Sequence, residues 1–209
     1  MKFEPTVFVV DDDPAVRKAM GLLMKSVGLN AETSPSAREF LDGYDPARPG
    51  CLVLDIRMAG MSGLELQEKL REQQITLPVI IITGHGDVPT AVRAIQAGAL
   101  GFIEKPFRDQ VLLDHINRAI EQDATRRRDQ ARRTHVESRI ARLTPREREV
   151  VDLLVAGKSS KQIGFELGIS VTTVNLHRSH AMSKLRVDSV VDLVRMAGPL
   201  DARLEDPAS

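Results

Sequence analysis

Five times in the first 122 residues a short apolar run gives way to an amphipathic segment, and few folds accept that alternation. The apolar runs are Thr6–Val10, Ala31–Thr33, Cys51–Leu54, Pro78–Ile82 and Leu100–Ile103. The second is short and weak, but the others lack polar alternation, as strands buried on both faces do. Val16, Met20, Leu23 and Val27 recur at helical spacing, with Gly28 free to close that helix. Further helices are expected from Ser36–Leu41, Leu64–Leu70, Val88–Ala97 and Val111–Ile120. In the third helix Leu64, Gln67, Glu68 and Arg71 are read as the exposed side. Strands alternating with helices in this way predict an α/β doubly wound parallel sheet of five strands, with helices covering both faces. Ligands of such sheets bind beyond the carboxyl ends of the strands. The polar residues gather at those ends: Asp11, Asp12 and Asp13 after the first, Asp55 after the third, Thr83 after the fourth and Lys105 after the fifth.

Carboxylates converging on one crevice cannot all ionise comfortably without a cation. Carboxylate oxygens with few nitrogens suit Mg²⁺, which keeps several waters and commonly joins a phosphate. With a lysine and a hydroxyl alongside, the set suits phosphoryl transfer, in which positioning and charge neutralisation dominate. The nucleophile would be a carboxylate, giving an acyl phosphate. Asp13 reads more simply as a first-turn acid that favours the helix dipole. His85 reads as a loop residue, and Tyr44 and Cys51 as packing or surface residues.

The chain falls into parts. Residues 1–122 form the α/β unit, and residues 123–142 carry seven arginines and no Gly or Pro, the composition of a solvated helical linker. If that linker prolongs the preceding helix, residues 111–142 span roughly 48 Å. Direct DNA contact by Arg126–Arg128 is the minor alternative. Residues 143–198 are a helical unit with explicit caps. Thr144-Pro145-Arg146-Glu147 is a capping box with proline at the first helical position. Ser159 to Gln162 repeats the box spacing, Gly168 ends the second short helix, and Ser170 caps a longer one to about Leu185. Asp188 or Ser189 caps a fourth helix, which Gly198-Pro199 is expected to stop, leaving 199–209 as a disordered tail. A short helix, a glycine turn and a longer helix make a helix-turn-helix signature.

Several classes are excluded. One cysteine, Cys51, permits neither an intramolecular disulfide nor a cysteine zinc cluster. No apolar run approaches the ~18 residues of a membrane span. Met1–Pro5 does not read as a signal peptide, so a cytoplasmic location without membrane association is expected. Six Phe, one Tyr and no Trp leave little for single-strand stacking platforms.

Val10-Asp11-Asp12, Leu54-Asp55-Ile56-Arg57-Met58, Ile82-Thr83-Gly84-His85 and Glu104-Lys105-Pro106 together resemble the receiver domain of two-component response regulators, over residues 5–122. The resemblance implies a flavodoxin- or CheY-like strand order of 2-1-3-4-5. It makes Asp55 the phosphoacceptor from a sensor histidine kinase, with Mg²⁺ held by Asp11, Asp12, Asp55 and the carbonyl of Arg57. It gives Thr83 and Lys105 the phosphoryl group, makes Lys105-Pro106 a cis bond and places Phe102 at the switch-aromatic position. Ala59 departs from the proline usual there, which predicts a looser loop after Asp55. A haloacid-dehalogenase-type phosphatase lacks support, because Asp11-Asp12-Asp13-Pro14-Ala15 does not continue that family's motif.

Leu143–Val150, Gly157–Ile163, Ile169-Ser170, Thr173-Val174 and His177-Arg178 resemble the LuxR/FixJ type of helix-turn-helix over residues 141–198. The stretches His85–Pro89 and Phe102–Phe107 point within it to FixJ- and StyR-like regulators. The resemblance implies that the helix from Val171 lies in the major groove of double-stranded promoter DNA. Asn175, Leu176 and Ser179 then reach base edges, and Thr172, Thr173, His177, Arg178, Lys184, Lys158 and Lys161 meet phosphates. Leu153, Leu154, Ile163, Leu167, Val174 and Leu185 are read as core, and Val190, Leu193, Val194 and Ala197 as dimer contacts. Gly164 replaces a usual Ala, which costs roughly 1 kcal/mol inside a helix and predicts a soft second helix.

The expected protein is a phosphorylation-controlled, dimerising transcription regulator, with RNA polymerase as a partner and activating as its relatives do; no enzyme activity beyond autodephosphorylation is expected. A phosphorelay intermediate and a phosphorylation-independent DNA binder are the rivals. The formal net charge of zero hides a division. Residues 1–122 hold 13 bases and 17 acids, 123–142 hold 7 and 3, 143–198 hold 8 and 6, and 199–209 hold 1 and 3. A surplus of two bases on the output unit predicts weak, salt-sensitive DNA binding by a single copy, and so a dependence on dimerisation.

Overall fold

The computed structural model describes residues 4–84 and 88–201, with side chains as far as Met196 at the C-terminal end. The expectations for His85, for the side chain of Ala197 and for the chain after Asp201 lie outside the described residues. Two compact units divide at Arg128 and Asp129.

In the first unit, β1 (Thr6–Val10), α1 (Pro14–Ser26), β2 (Asn30–Ser34), α2 (Ala37–Gly43), β3 (Gly50–Asp55), α3 (Gly63–Glu72), β4 (Val79–Thr83), α4 (Val88–Gln96) and β5 (Gly101–Glu104) precede α5 (Asp109–Ile140), whose residues from Asp129 onward belong to the second unit. The sheet order is β2-β1-β3-β4-β5, and every pairing is parallel. Alternation within each buried strand builds two cores. Phe8, Val10, Leu52, Leu54 and Ile81 face α2, α3 and α4 through Phe40, Leu66, Leu70 and Ala94. Val7, Val9, Cys51, Val53, Ile80 and Ile82 face α1 and α5 through Met20, Met24, Leu112 and Ile116. The apolar runs are unbroken because both sets are buried. Only the edge strand β2 is mostly exposed, which is why its sequence reads weakly as a strand.

Three local readings change. Asp13 is the N-cap of α1 rather than a first-turn acid, accepting the amide of Ala15 at 2.8 Å. Gln67 is buried, not on an exposed side, and donates Nε2 to the carbonyl of Ala94 on α4 at 3.0 Å. The start of the arginine-rich stretch is not solvated. Asp123 is 1 % exposed and accepts the amide of Gly50, at the start of β3, at 3.0 Å. Arg126 and Arg127 both pair with Asp123. Arg127 also donates to the carbonyls of Pro46, Ala47 and Arg48. Arg127 thereby holds the α2–β3 loop, and Arg126 is tied to the same buried carboxylate.

The second unit contains α6 (Pro145–Val155), α7 (Ser160–Leu167), α8 (Val171–Leu185) and α9 (Val190–Asp201). Capping boxes open α6 at Thr144/Glu147 and α7 at Ser159/Gln162. Gly168 takes the left-handed conformation at φ 66° between α7 and α8, and Ser170 caps α8. Val150, Leu154, Ile163, Val174, Ala181, Leu185 and Leu193 form the core. The backbone of α9 does not stop at Gly198-Pro199 but runs to Asp201. Gly164 is explained by a close approach. A Cβ there would lie 2.8 Å from the carbonyl oxygen of Ile169, so the residue lets the turn fold back onto α7.

Candidate functional site

The sheet brings Asp11, Asp55, Thr83 and Lys105 to one edge from sequence positions up to 94 residues apart. Asp55 and Thr83 are the last residues of β3 and β4; Asp11 follows β1 and Lys105 follows β5. Asp11 is 1 % exposed, Asp55 6 % and Thr83 0 %. The Lys105 ammonium lies between the two buried acids, 2.8 Å from Asp11 Oδ2 and 3.0 Å from Asp55 Oδ1. The Lys105 amide donates to the carbonyl of Thr83 at 2.7 Å, and Lys105-Pro106 is cis.

The remaining carboxylate oxygens are held by backbone. Asp11 Oδ1 accepts the amide of Asp13, and Asp55 Oδ2 that of Arg57, both at 2.9 Å. Asp12 Oδ2 accepts the amide of Ala59 at 3.1 Å. A proline at 59 has no N–H to give, so the departure expected to loosen this loop instead ties it to Asp12. Burial pushes the Asp55 carboxyl above the usual range, although Lys105 pulls the other way through its hydrogen bond and charge. Burial alone would lower Lys105; its bonds to Asp11 and Asp55, with their charges, outweigh that and raise it.

Two supports were not read from the sequence. Arg17 on α1 donates to the carbonyl of Asp11 at 2.8 Å and pins the loop carrying both N-terminal acids. Gly63 opens α3 directly against the site, where an added Cβ would stand 2.2 Å from the carbonyl oxygen of Asp55. The Ser62–Glu65 capping-box spacing was the available signal for that helix start. Phe102 is half-buried on β5 and packs against the α2–α4 core.

The donors offered to a cation are all hard oxygens, and two buried carboxylates with Asp12 beside them share one ammonium. That chemistry fits Mg²⁺ better than a soft metal. As the side chains stand, with Lys105 between two acids and Asp12 on Ala59, no group of three His, Cys, Asp or Glu is gathered to hold a metal among the described residues.

Residues 7–117 match the response regulator receiver domain, and residues 141–197 match the bacterial regulatory proteins of the luxR family. Nodulation protein W of Bradyrhizobium diazoefficiens is 45% identical over 194 residues, covering 93% of this chain and 86% of that protein. The transcriptional regulatory protein FixJ of Azorhizobium caulinodans is 44% identical over 191 residues, covering 91% and 90%. The structure of the response regulator StyR superposes with a TM-score of 0.88 at 45% identity, covering 94% of this chain and 99% of that one. The chain belongs to the FixJ/LuxR family of two-component response regulators. Its function is transcriptional regulation linked to aspartate phosphorylation. No helix among the described residues is long and apolar enough to cross a membrane.

On the output side of this FixJ/LuxR regulator, α8 exposes Thr172, Asn175, Leu176 and Ser179 along one face, with Leu176 54 % exposed. Asn175, Arg178 and Ser179 line one shallow groove. Thr173 and His177 are half-buried, and the Thr173 hydroxyl bonds that of Ser170. Two lysines expected on phosphates are engaged by the protein itself. Lys184 donates to buried Glu147 at 2.6 Å, and Lys158 pairs with Glu166. The Lys184 bond, with the Thr144 amide, holds Glu147 below the usual carboxylate range. Lys161 is exposed. Among the α9 residues expected at a dimer contact, Leu193 is 0 % exposed and belongs to the core, Val190 is half-buried and Val194 is 41 % exposed. Val191 on the same helix is 59 % exposed.

Proposed function

We propose that Asp55 accepts a phosphoryl group from the phosphohistidine of a sensor kinase, and that the acyl phosphate controls binding of α8 to promoter DNA. The observation that carries this reading is the Lys105 ammonium bridging two buried carboxylates at the strand ends. One Asp55 oxygen attacks phosphorus, the P–N bond to histidine breaks, and the new oxygens meet the ammonium already aimed at the site. Asp11, Asp12, Asp55 and the Arg57 carbonyl would hold Mg²⁺, whose part is to neutralise charge on the transferring group. Thr83 and Phe102 form the switch: the threonine turns to the phosphoryl oxygen and the aromatic ring follows inward, reshaping the α4–β5–α5 surface.

The reading continues to two chains pairing through that change, with Val190, Val191 and Val194 of α9 as the output-side contact. A pair of α8 helices about one DNA turn apart, roughly 34 Å, then enters successive major grooves. Asn175, Leu176 and Ser179 read bases. Thr172, Thr173, His177, Arg178 and Lys161 meet the backbone. RNA polymerase recruitment and activation follow as the outcome.

The test is retardation of promoter DNA with and without acetyl phosphate and Mg²⁺. Wild type is expected to gain at least tenfold in apparent affinity, and Asp55→Asn to gain nothing. An equal gain in the Asn variant removes Asp55 from the reading. Retardation that ignores the phosphodonor in both proteins favours a phosphorylation-independent binder.

A further inference from the structure

We infer that Ser160 is a specificity-determining residue: it fixes which end of the Asn175 carboxamide faces the DNA, and so which base edge that side chain accepts. The inference rests on the reading of Asn175 as a base contact. Ser160 is the first residue of α7, and its hydroxyl donates to Asn175 Oδ1 on α8 at 3.0 Å, across 15 residues of sequence. The close approach of the turn at Gly164 brings the two helices near enough for such a bridge.

A carboxamide has two faces of nearly equal shape and opposite polarity. Rotated by half a turn about its last bond, an asparagine offers an acceptor where it offered a donor, and its base preference inverts. Two features select one face here. A hydroxyl can donate to the oxygen or accept from the amino group; it donates here because the positive end of the α7 dipole, at whose first residue Ser160 stands, favours the oxygen. Both draw Oδ1 inward and turn the Nδ2 amino group outward. An amino group held outward donates to acceptors on a base edge, such as the N7 of adenine or guanine. Without the hydroxyl the amide samples both faces, and the contact loses discrimination before it loses affinity.

The same hydroxyl on a DNA phosphate would behave differently, because phosphate contacts weaken binding to all sequences alike. The experiment selects binding sites from a randomised duplex library with the full chain treated with acetyl phosphate and Mg²⁺. It compares wild type, Asn175→Ala, Ser160→Ala and Ser160→Thr, with thermal unfolding confirming that each variant folds. Asn175→Ala is expected to erase preference at one position per half-site. Ser160→Ala is expected to relax that same position about fivefold, leaving the others and the affinity for random duplex unchanged. Ser160→Thr, which keeps the hydroxyl, is expected to restore it. Uniform weakening by Ser160→Ala, or relaxation at a different position, overturns the proposal. An effect of Asn175→Ala with none from Ser160→Ala overturns the Ser160 role alone. No effect of Asn175→Ala removes the base-reading assignment itself, and the Ser160 role with it.

Discussion

Replacing Lys105 with methionine is expected to lower the stability of the receiver unit by about 3 kcal/mol at neutral pH, the low end for a broken buried ion pair. The low end applies because the lysine side chain is 25 % exposed. The loss comes from leaving Asp11 and Asp55 buried side by side with no cation between them. It should shrink as the pH falls. Burial already raises the Asp55 pKa in the native protein. A group raised on folding contributes stability that is full below its unfolded pKa and lost as the pH rises through its folded pKa. Removing Lys105 takes away the bond and charge that pull Asp55 down, so the folded pKa climbs further and the deficit reaches its full size only above this raised pKa. Urea unfolding followed by far-ultraviolet circular dichroism measures it, since the chain has no tryptophan. A deficit that is constant from mildly acidic to neutral pH would contradict this account of the charge balance.

The second large effect lies at the other end of β3. Asp123→Ala is expected to cost about 3–5 kcal/mol in the same transition, because it strands two arginines and a buried amide together. Asp123 has 1 % of its surface exposed, and the amide of Gly50 and the guanidinium groups of Arg126 and Arg127 all converge on it. Asp123→Asn keeps an acceptor for Gly50 but loses the charge, and should fall between. A change under 1 kcal/mol for the alanine variant would return residues 123–128 to the status of a solvated helix.

These two sites differ in how they show in the sequence. Asp11, Asp55 and Lys105 are legible because each follows an apolar run at a strand end, and topology gathers strand ends. The caps at Thr144, Ser159 and Ser170 are legible because their partners lie three residues away. Asp123 is not legible, since its partner Gly50 is 73 residues distant and the local composition is that of an exposed arginine-rich helix. Gln67 and Leu193 fail for the same reason. A polar residue on an amphipathic helix reads as exposed until the carbonyl of Ala94 is placed against it, and an apolar residue on the last helix reads as a dimer contact until the core beneath it is known. Gly63 and Gly164 serve close approaches, visible only once a second backbone lies beside them. The acid at 147 shows as a cap in the sequence, but its bond to Lys184 is a tertiary fact, which ties a lysine expected on phosphates to the protein itself.

Under the proposed function, Asp55 carries the phosphoryl group that sets this regulator's state. Radiolabelled transfer from a phosphorylated histidine kinase tests it most directly, run on wild type and Asp55→Asn with Mg²⁺ present or chelated. The account predicts an alkali-labile label on the wild type, as an acyl phosphate gives, strong dependence on Mg²⁺, and no label on the Asn variant. Comparable labelling of Asp55→Asn, or labelling of the wild type indifferent to chelation, would contradict it.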